Sequence, residues 1–199
     1  MNSEVARAPL APATRTVVAR RIIAAALGAL VVALSAQIVV PVPFSPIPMT
    51  LQPLAVLGVG ALLGGAAGLG ALLLYIALGI AGLPVFAGGG SGVARLLGPT
   101  GGYLLAFPVA AWMTGILTGP VLGSNRLLRP TGVLRVLLAC AVGMVVIHVG
   151  GVAQLALLGG DPALAFRMGF IPFLTGDLIK VGLAAVLILV AGPKIRSLL

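Results

Sequence analysis

Acidic residues are scarce in this chain of 199 residues. Only 3 residues are Asp or Glu, and charged residues of both signs make up 8% of the sequence, against about 25% in soluble globular domains. So few charges cannot cover a soluble surface, and a hydrophobic content of 60% excludes a disordered chain. The remaining class is an integral membrane protein.

Cysteine and histidine are nearly absent as well. The single cysteine, Cys140, lies in an apolar stretch, and His148 is the only histidine. The chain therefore forms no internal disulfide and no thiolate metal cluster, and we predict no metal site and a small core residue at position 140. A Walker A sequence is also missing, so the chain does not hydrolyse ATP itself. Active transport would then require a partner or an ion gradient.

Long apolar runs are what the sequence has in abundance. A membrane-spanning helix needs about 20 predominantly apolar residues. The sequence accommodates six such runs with short loops, so we predict an all-α integral membrane protein of six transmembrane helices in a single domain, residues 20–199. The predicted runs are 22–40, 51–69, 70–83, 103–121, 133–158 and 172–191.

Residues 1–19 contain two arginines without hydrophobic periodicity, and we predict a mobile basic N-terminal tail. The pair Arg20 and Arg21 before the first apolar run also fits a secretory or twin-arginine signal. The run is longer than the 7–15 residues of a typical signal core, which favours an uncleaved helix.

The basic residues mark the orientation in the membrane. Lys and Arg gather in short cytoplasmic segments, and with six helices nine of the 12 basic residues fall on the side of the two termini. Arg95 and Arg167 fall outside, and Lys180 lies within a helix. We therefore predict cytoplasmic N and C termini, and we interpret the net charge of +9 as a topology signal, not as a nucleic-acid surface. The nine are Arg7, Arg15, Arg20, Arg21, Arg126, Arg129, Arg135, Lys194 and Arg196.

Two ionisable residues lie inside the last apolar run. Asp177 and Lys180 are three residues apart and share a helix face. Each such charge in a membrane helix costs about 2.5–3.5 kcal/mol, so a functional role is the default interpretation. Because this helix enters from the outer side, the pair predicts a binding pocket that opens outward. The alternative is a neutral ion pair that only fills a packing gap.

Polar groups in the loops could complete such a pocket. Thr50 and Gln52 follow a proline-rich loop, with capping of the second helix as the alternative role. In the glycine-rich third loop, Phe86 could provide an apolar wall and Arg95 a charge, unless Arg95 merely extends to the headgroups. Tyr103 could bind a ligand or lie at the membrane interface.

A hydrolase is a further alternative. Gly89 to Gly92 matches G-x-S-G, and Ser91 with His148 could form a nucleophile and base. The serine lies in a long glycine loop, however, and His148 is interpreted as a buried polar residue that bonds to a neighbouring helix.

Small residues recur every four positions in the first two runs, and such ridges allow close helix approach in lipid. For the first ridge we predict an external partner, and for the second internal packing. The first ridge consists of Ala25, Ala29 and Ala33, and the second of Gly60, Gly64 and Gly68.

Four ordered motifs give the chain a family resemblance. They are PFSPIPMTLQ at 43–52, GLPVFAGG at 82–89, GPTGGY at 98–103 and PFLTGDLIK at 172–180. Together they resemble the BioY family, the biotin-specific substrate-binding (S) components of energy-coupling factor (ECF) transporters, and the resemblance extends from about residue 20 to residue 192.

The resemblance implies a six-helix S component in a prokaryotic cell membrane that binds biotin near the outer face. It also implies a transmembrane T component and two ATPase subunits as partners, with ATP and Mg²⁺ used by the ATPases and no cofactor in this chain. Many relatives place an arginine earlier in the glycine run, where this chain has Gly90 or Ser91. An S component for another small vitamin remains the alternative. The implied site residues are Asp177, Lys180, Phe86, Gln52, Thr50, Gly90, Ser91, Arg95 and Tyr103, and the implied partner interface is the alanine ridge at Ala25, Ala29 and Ala33.

Overall fold

The computed structural model describes residues 12–122, 124 and 127–198, with side chains from residue 18 onward. This part of the chain is mainly helical, with one two-stranded antiparallel pairing of Val39–Val40 (β1) and Met49–Thr50 (β2). The helices are α1 Pro12–Ser35, α2 Gln52–Leu63, α3 Gly65–Ile80, α4 Val93–Leu97, α5 Gly101–Thr118, α6 Pro130–Gly159, α7 Pro162–Gly169 and α8 Leu174–Arg196.

Helix α1 begins earlier than predicted. It starts at Pro12. Proline suits the first helical position, because a backbone N–H at that position would have no acceptor within the helix. Residues 12–19, predicted to belong to the tail, are therefore helical. Residues 1–11, with Arg7, and also Arg126 lie outside the described residues.

The second and third apolar runs divide at Gly64, not at residue 69 as predicted. Gly64 has φ +89°, a conformation that glycine adopts without a steric penalty, and its N–H donates to Gly60 O. The resulting helices α2 and α3 contain 12 and 16 residues. At 1.5 Å per residue, α2 is about 18 Å long, which is shorter than the hydrocarbon core of a bilayer.

Within the described residues, four segments are long and apolar enough to cross a membrane, while α2 and α3 are shorter apolar helices. The six-span count therefore stays a prediction. The four segments are Val18–Ser35, Gly101–Thr118, Pro130–Gly159 and Pro162–Arg196.

Two short helices lie in segments that were predicted to be loops. Helix α4 occupies the glycine-rich third loop, and α7 follows α6. The side chain of Asp161 caps α7, since its Oδ1 accepts hydrogen bonds from the N–H groups of Ala163 and Leu164 at 2.9 and 3.0 Å.

Glycine allows the central helices to pack closely. Helix α5 packs against α2, α3 and α6. A methyl group at Gly60 would overlap the backbone of Ala111 in α5, and one at Gly68 would overlap Gly60. Two members of the glycine ridge therefore pack inside the bundle, as predicted.

The alanine ridge of α1 packs partly against the rest of the chain, and its role as a partner interface stays a prediction. Ala29 is 2% exposed and belongs to the core, and Ala25 and Ala33 are half-buried against that core. The chain therefore covers Ala29, whereas Ala25 and Ala33 keep part of their surface exposed. The exposed face of α1 carries larger aliphatic residues instead: Ile22, Ile23, Leu27, Leu30, Val31 and Leu34.

Most of the described basic residues lie at one end of the bundle. Arg196 at the end of α8 donates to Ala61 O near the end of α2, at 3.1 Å. Arg135 near the start of α6 donates to Leu117 O near the end of α5, at 2.8 Å. Arg95 and Arg167 lie in the segments that connect helices at the opposite end.

Candidate functional site

The loops and helix ends opposite the basic end enclose a pocket. Its space is about 630 Å³, part of which is open to solvent. The walls come from the loop before α2, the third loop with α4, the first half of α5, the second half of α6 and the start of α8. The lining residues are Ile47, Pro48, Met49, Thr50, Gln52, Pro53, Phe86, Ala87, Arg95, Thr100, Tyr103, Leu104, Phe107, Ile147, His148, Phe173, Asp177 and Lys180.

A buried ionic cluster forms one side of the pocket. Lys180 Nζ donates to Asp177 Oδ1 at 2.9 Å, and His148 Nε2 lies 2.5 Å from Asp177 Oδ2. The three residues are 5–7% exposed. Asp177 lies in the first turn of α8, where the helix dipole favours a carboxylate. The predicted pair thus shares a face of α8, and a histidine from α6 joins it.

His148 was predicted to bond to a neighbouring helix, and its contact with Asp177 confirms that interpretation. Its place in the pocket wall was not predicted. Aromatic rings surround the imidazole, with centroid distances of 4.9 Å to Phe170, 6.0 Å to Tyr103 and 6.3 Å to Phe173. The signal in the sequence was a lone ionisable residue within a long apolar helix, where a functional role is the default interpretation.

A chain of hydrogen bonds connects the first and third loops. Thr50 Oγ1 donates to Gln52 Oε1 at 3.1 Å, and Gln52 Nε2 donates to the hydroxyl of Tyr75 at 2.6 Å. The Tyr75 hydroxyl donates in turn to Val85 O at 3.1 Å. Thr50 Oγ1 also accepts from the backbone N–H of Gln52 at 3.3 Å, at the start of α2. Thr50 thus lies in the pocket lining and satisfies one N–H group at the start of α2, where the N-cap residue is Leu51; its contact with a ligand stays a prediction.

Phe86 is an apolar residue of the pocket lining. It is 1% exposed, and its ring meets that of Tyr75 edge to face at a centroid distance of 5.5 Å. The ring lies directly over Gly79 of α3, where an added methyl group would overlap it. The backbone N–H of Phe86 donates to Gly90 O at 2.9 Å, which closes the glycine turn.

Arg95 of α4 lines the pocket and is itself exposed. Among the described residues both ion pairs are made by Asp177, so Arg95 has no carboxylate partner there. Its guanidinium packs against Gly90. Gly90 and the exposed Ser91 are not among the lining residues, and their part in ligand binding stays a prediction.

Tyr103 of α5 contributes its ring to the pocket wall. Its hydroxyl donates to Gly169 O at 2.7 Å, and the residue is 9% exposed. The hydroxyl is therefore already bonded to the end of α7, and the residue is not exposed at the membrane interface.

The hydrolase alternative receives no support from this geometry. Ser91 is exposed outside the pocket, whereas His148 is buried and bonded to Asp177. Over residues 12–122, 124 and 127–198, no group of three or more His, Cys, Asp or Glu side chains could hold a metal ion.

Comparison with known proteins identifies the family. The sequence model described as the BioY family matches residues 5–197. The chain belongs to the BioY family. This confirms the resemblance of the four motifs, which lie on the loops and helix ends around the pocket.

Members of the BioY family in several organisms are similar along most of their length. A probable biotin transporter BioY from Pyrococcus horikoshii is 36% identical, over 73% of this chain and 81% of that protein. The biotin transporter BioY from Rhizobium etli is 32% identical, over 83% of this chain and 89% of that protein. One from Thermotoga maritima is 35% identical, over 74% and 82%.

A solved structure has the same fold. The crystal structure of the S-component for biotin from an ECF-type ABC transporter superposes with a TM-score of 0.75. The alignment covers 91% of this chain and 93% of that one, at 23% sequence identity. The BioY-family chain described here therefore has an S-component-like helical fold.

Proposed function

We propose that this BioY-family protein is the biotin-binding S component of an ATP-driven vitamin uptake transporter, and that it is not an enzyme. One observation carries the proposal: a pocket lined by the Asp177–Lys180 pair within a chain that belongs to this family. The relatives named as biotin transporters support biotin as the ligand.

The chemistry of biotin matches the pocket. The ureido group has two N–H donors and one carbonyl acceptor, the bicycle is apolar, and the side chain ends in a carboxylate. We place the ureido group at Asp177 and Lys180, where an acceptor and a donor lie side by side. The ligand carboxylate then lies near Arg95, because Asp177 would repel it. Phe86 and Phe173 cover the bicycle between these ends.

The proposed setting is the cell membrane of a prokaryote, crossed six times, with both termini in the cytoplasm. The basic end of the bundle supports this orientation, since short cytoplasmic segments are rich in Lys and Arg. The pocket then opens outward. A transmembrane T component and two ATPase subunits would supply the energy, and ATP and Mg²⁺ would bind to those subunits.

Biotin binding to purified variants tests this proposal. Asp177→Asn and Lys180→Ala should each weaken affinity by about tenfold to 150-fold, because a charge-assisted hydrogen bond in a closed pocket contributes about 1.5–3 kcal/mol. Isothermal titration calorimetry in detergent measures the change.

Asp161→Asn is the matched control. It also removes a carboxylate, but it lies at the start of α7 and does not line the pocket. Its affinity should equal that of the unmodified protein. Unchanged biotin affinity in both pocket variants would rule out the proposed site. If another vitamin raised the unfolding temperature more than biotin does, that vitamin would be the ligand.

A further inference from the structure

Asp177 is held from two helices in this structure. Lys180, on the same helix, occupies Oδ1, and His148 from α6 occupies Oδ2. Lys180 is also the donor that a ligand carbonyl would need. A lysine that turned from Asp177 to a ligand would leave a buried carboxylate without its cation, which is strongly unfavourable unless another donor remains.

His148 can be that donor. An ionised carboxylate only accepts hydrogen bonds, so Nε2 carries the proton in the contact with Asp177. The other ring nitrogen, Nδ1, is buried and has no hydrogen-bond partner among the described residues. No second hydrogen bond therefore competes for the orientation of the ring.

The aromatic shell holds the imidazole in this orientation. Phe170 meets the ring edge to face at 4.9 Å, and Phe166 stacks on Phe170 at the same centroid distance. Tyr103 meets the ring from α5 at 6.0 Å, and its hydroxyl is bonded to Gly169. These ring contacts orient Nε2 toward Asp177.

We propose that His148 is a positioning residue of the ligand site, whose Nε2–H holds Asp177 so that Lys180 can turn to the ligand's carbonyl oxygen. This rests on the function proposed above. His148 acts through Asp177, and it links the pocket side of α6 to the start of α8.

Three substitutions test the role. His148→Leu removes the donor and should weaken biotin binding at least about tenfold. His148→Gln should bind within about threefold of the unmodified protein, because the amide nitrogen of Gln can occupy nearly the position of Nε2. His148→Asn carries the same amide on a shorter side chain that does not reach Asp177, and it should bind as weakly as the Leu variant. If the imidazole ring served only to fill space, the Gln and Asn variants would bind biotin equally weakly.

A double substitution separates this role from direct ligand contact. In the Asp177→Asn background, His148→Leu should cause less than about a twofold further loss of affinity. Additive losses would overturn the proposal. Thermal unfolding shows which variants are folded. If the Leu variant is not folded, the biotin affinities of the Gln and Asn variants still test the role of His148.

The proposed ligand site and the role of His148 can be overturned separately. If Asp177→Asn and Lys180→Ala both keep full affinity for biotin, the proposed site itself is wrong. If Asp177→Asn loses affinity while His148→Leu and His148→Asn keep it, the site stands and only the role of His148 is overturned.

Discussion

At the scale of single residues, the pocket separates two kinds of charge. Asp177 is neutralised by Lys180 and bonded to His148, all nearly buried. Arg95 lines the same pocket but is exposed and has no carboxylate partner among the described residues. An unpaired cation next to a neutralised pair favours a ligand that carries one negative charge and a neutral polar group.

In the proposed orientation of biotin, Arg95 contacts the ligand carboxylate and no other part of the ligand. Arg95→Gln should weaken biotin binding by about 5- to 30-fold, since a partly exposed ion pair contributes about 1–2 kcal/mol. The same variant should bind biotin methyl ester as well as the unmodified protein does. Calorimetric titrations with both ligands measure the difference.

Arg167→Gln is a suitable control, because Arg167 is an exposed arginine of α7 at the same end of the bundle and does not line the pocket. An equal loss of affinity for acid and ester in Arg95→Gln would contradict the orientation.

The charged residues of the site could be predicted because charged residues are rare in the apolar runs of this sequence. Asp177 and Lys180 stood out as charges in an apolar run, and the structure places both in the pocket. Gly90 and Ser91 were expected there because many relatives have an arginine at this point of the glycine run. The turn closed by the hydrogen bond between Phe86 and Gly90 leaves both residues outside the pocket lining. His148 was interpreted correctly as a buried residue, but its partner could not be known without the packing of α6 against α8.

At the scale of elements, helix faces were easier to predict than their partners. The four-residue spacing of alanine in α1 marked a smooth face, but a smooth face packs equally well against a partner or against the chain itself. The division between α2 and α3 was misplaced because the runs around Gly64 contain no charge. Helix α7 was missed because eight residues are too few for a clear period.

Helix α3 supports the apolar wall of the pocket through one glycine. Gly79→Ala should push the Phe86 ring away from α3 and weaken biotin binding by about tenfold or more, because the added methyl group overlaps the ring. Binding assays and thermal unfolding should both show the loss.

Gly70→Ala on the same helix is the matched control, since an added methyl group meets nothing within 4 Å there. Alanine is also the better helix former by about 1 kcal/mol. This variant should bind biotin normally and unfold no earlier. Normal binding by Gly79→Ala would show that Phe86 does not need its present position.

At the scale of the whole molecule, the charges are distributed between two ends. Helix ends and the segments next to them carry most of the described basic residues at one end, and the pocket opens at the other. The sequence predicted this division correctly along the chain, because basic residues follow the ends of apolar runs. It could not show that α2 is shorter than the usual span, since neighbouring apolar runs merge in composition.

The whole-molecule proposal predicts assembly with ATPases. When expressed with a T component and two ATPase subunits, the tagged protein should copurify with them, and the complex should hydrolyse ATP. The chain purified alone should show no ATP hydrolysis, because it contains no Walker A sequence. Equal rates of biotin uptake in cells that lack the partner subunits and in cells that contain them would contradict the proposed energy source.

Helix α8 carries the ligand cluster and the basic end on one continuous element. Asp177 and Lys180 lie near its start, and Arg196, bonded to Ala61 O, lies at its end. Arg196 follows Lys180 by 16 positions, which corresponds to about 24 Å along the helix axis. A subunit that displaced the C-terminal end of α8 along the helix axis by one turn would shift the Asp177 carboxylate by about 5.4 Å relative to His148 on α6. Force applied on one side of the membrane would thus reach the ligand without passing through any loop.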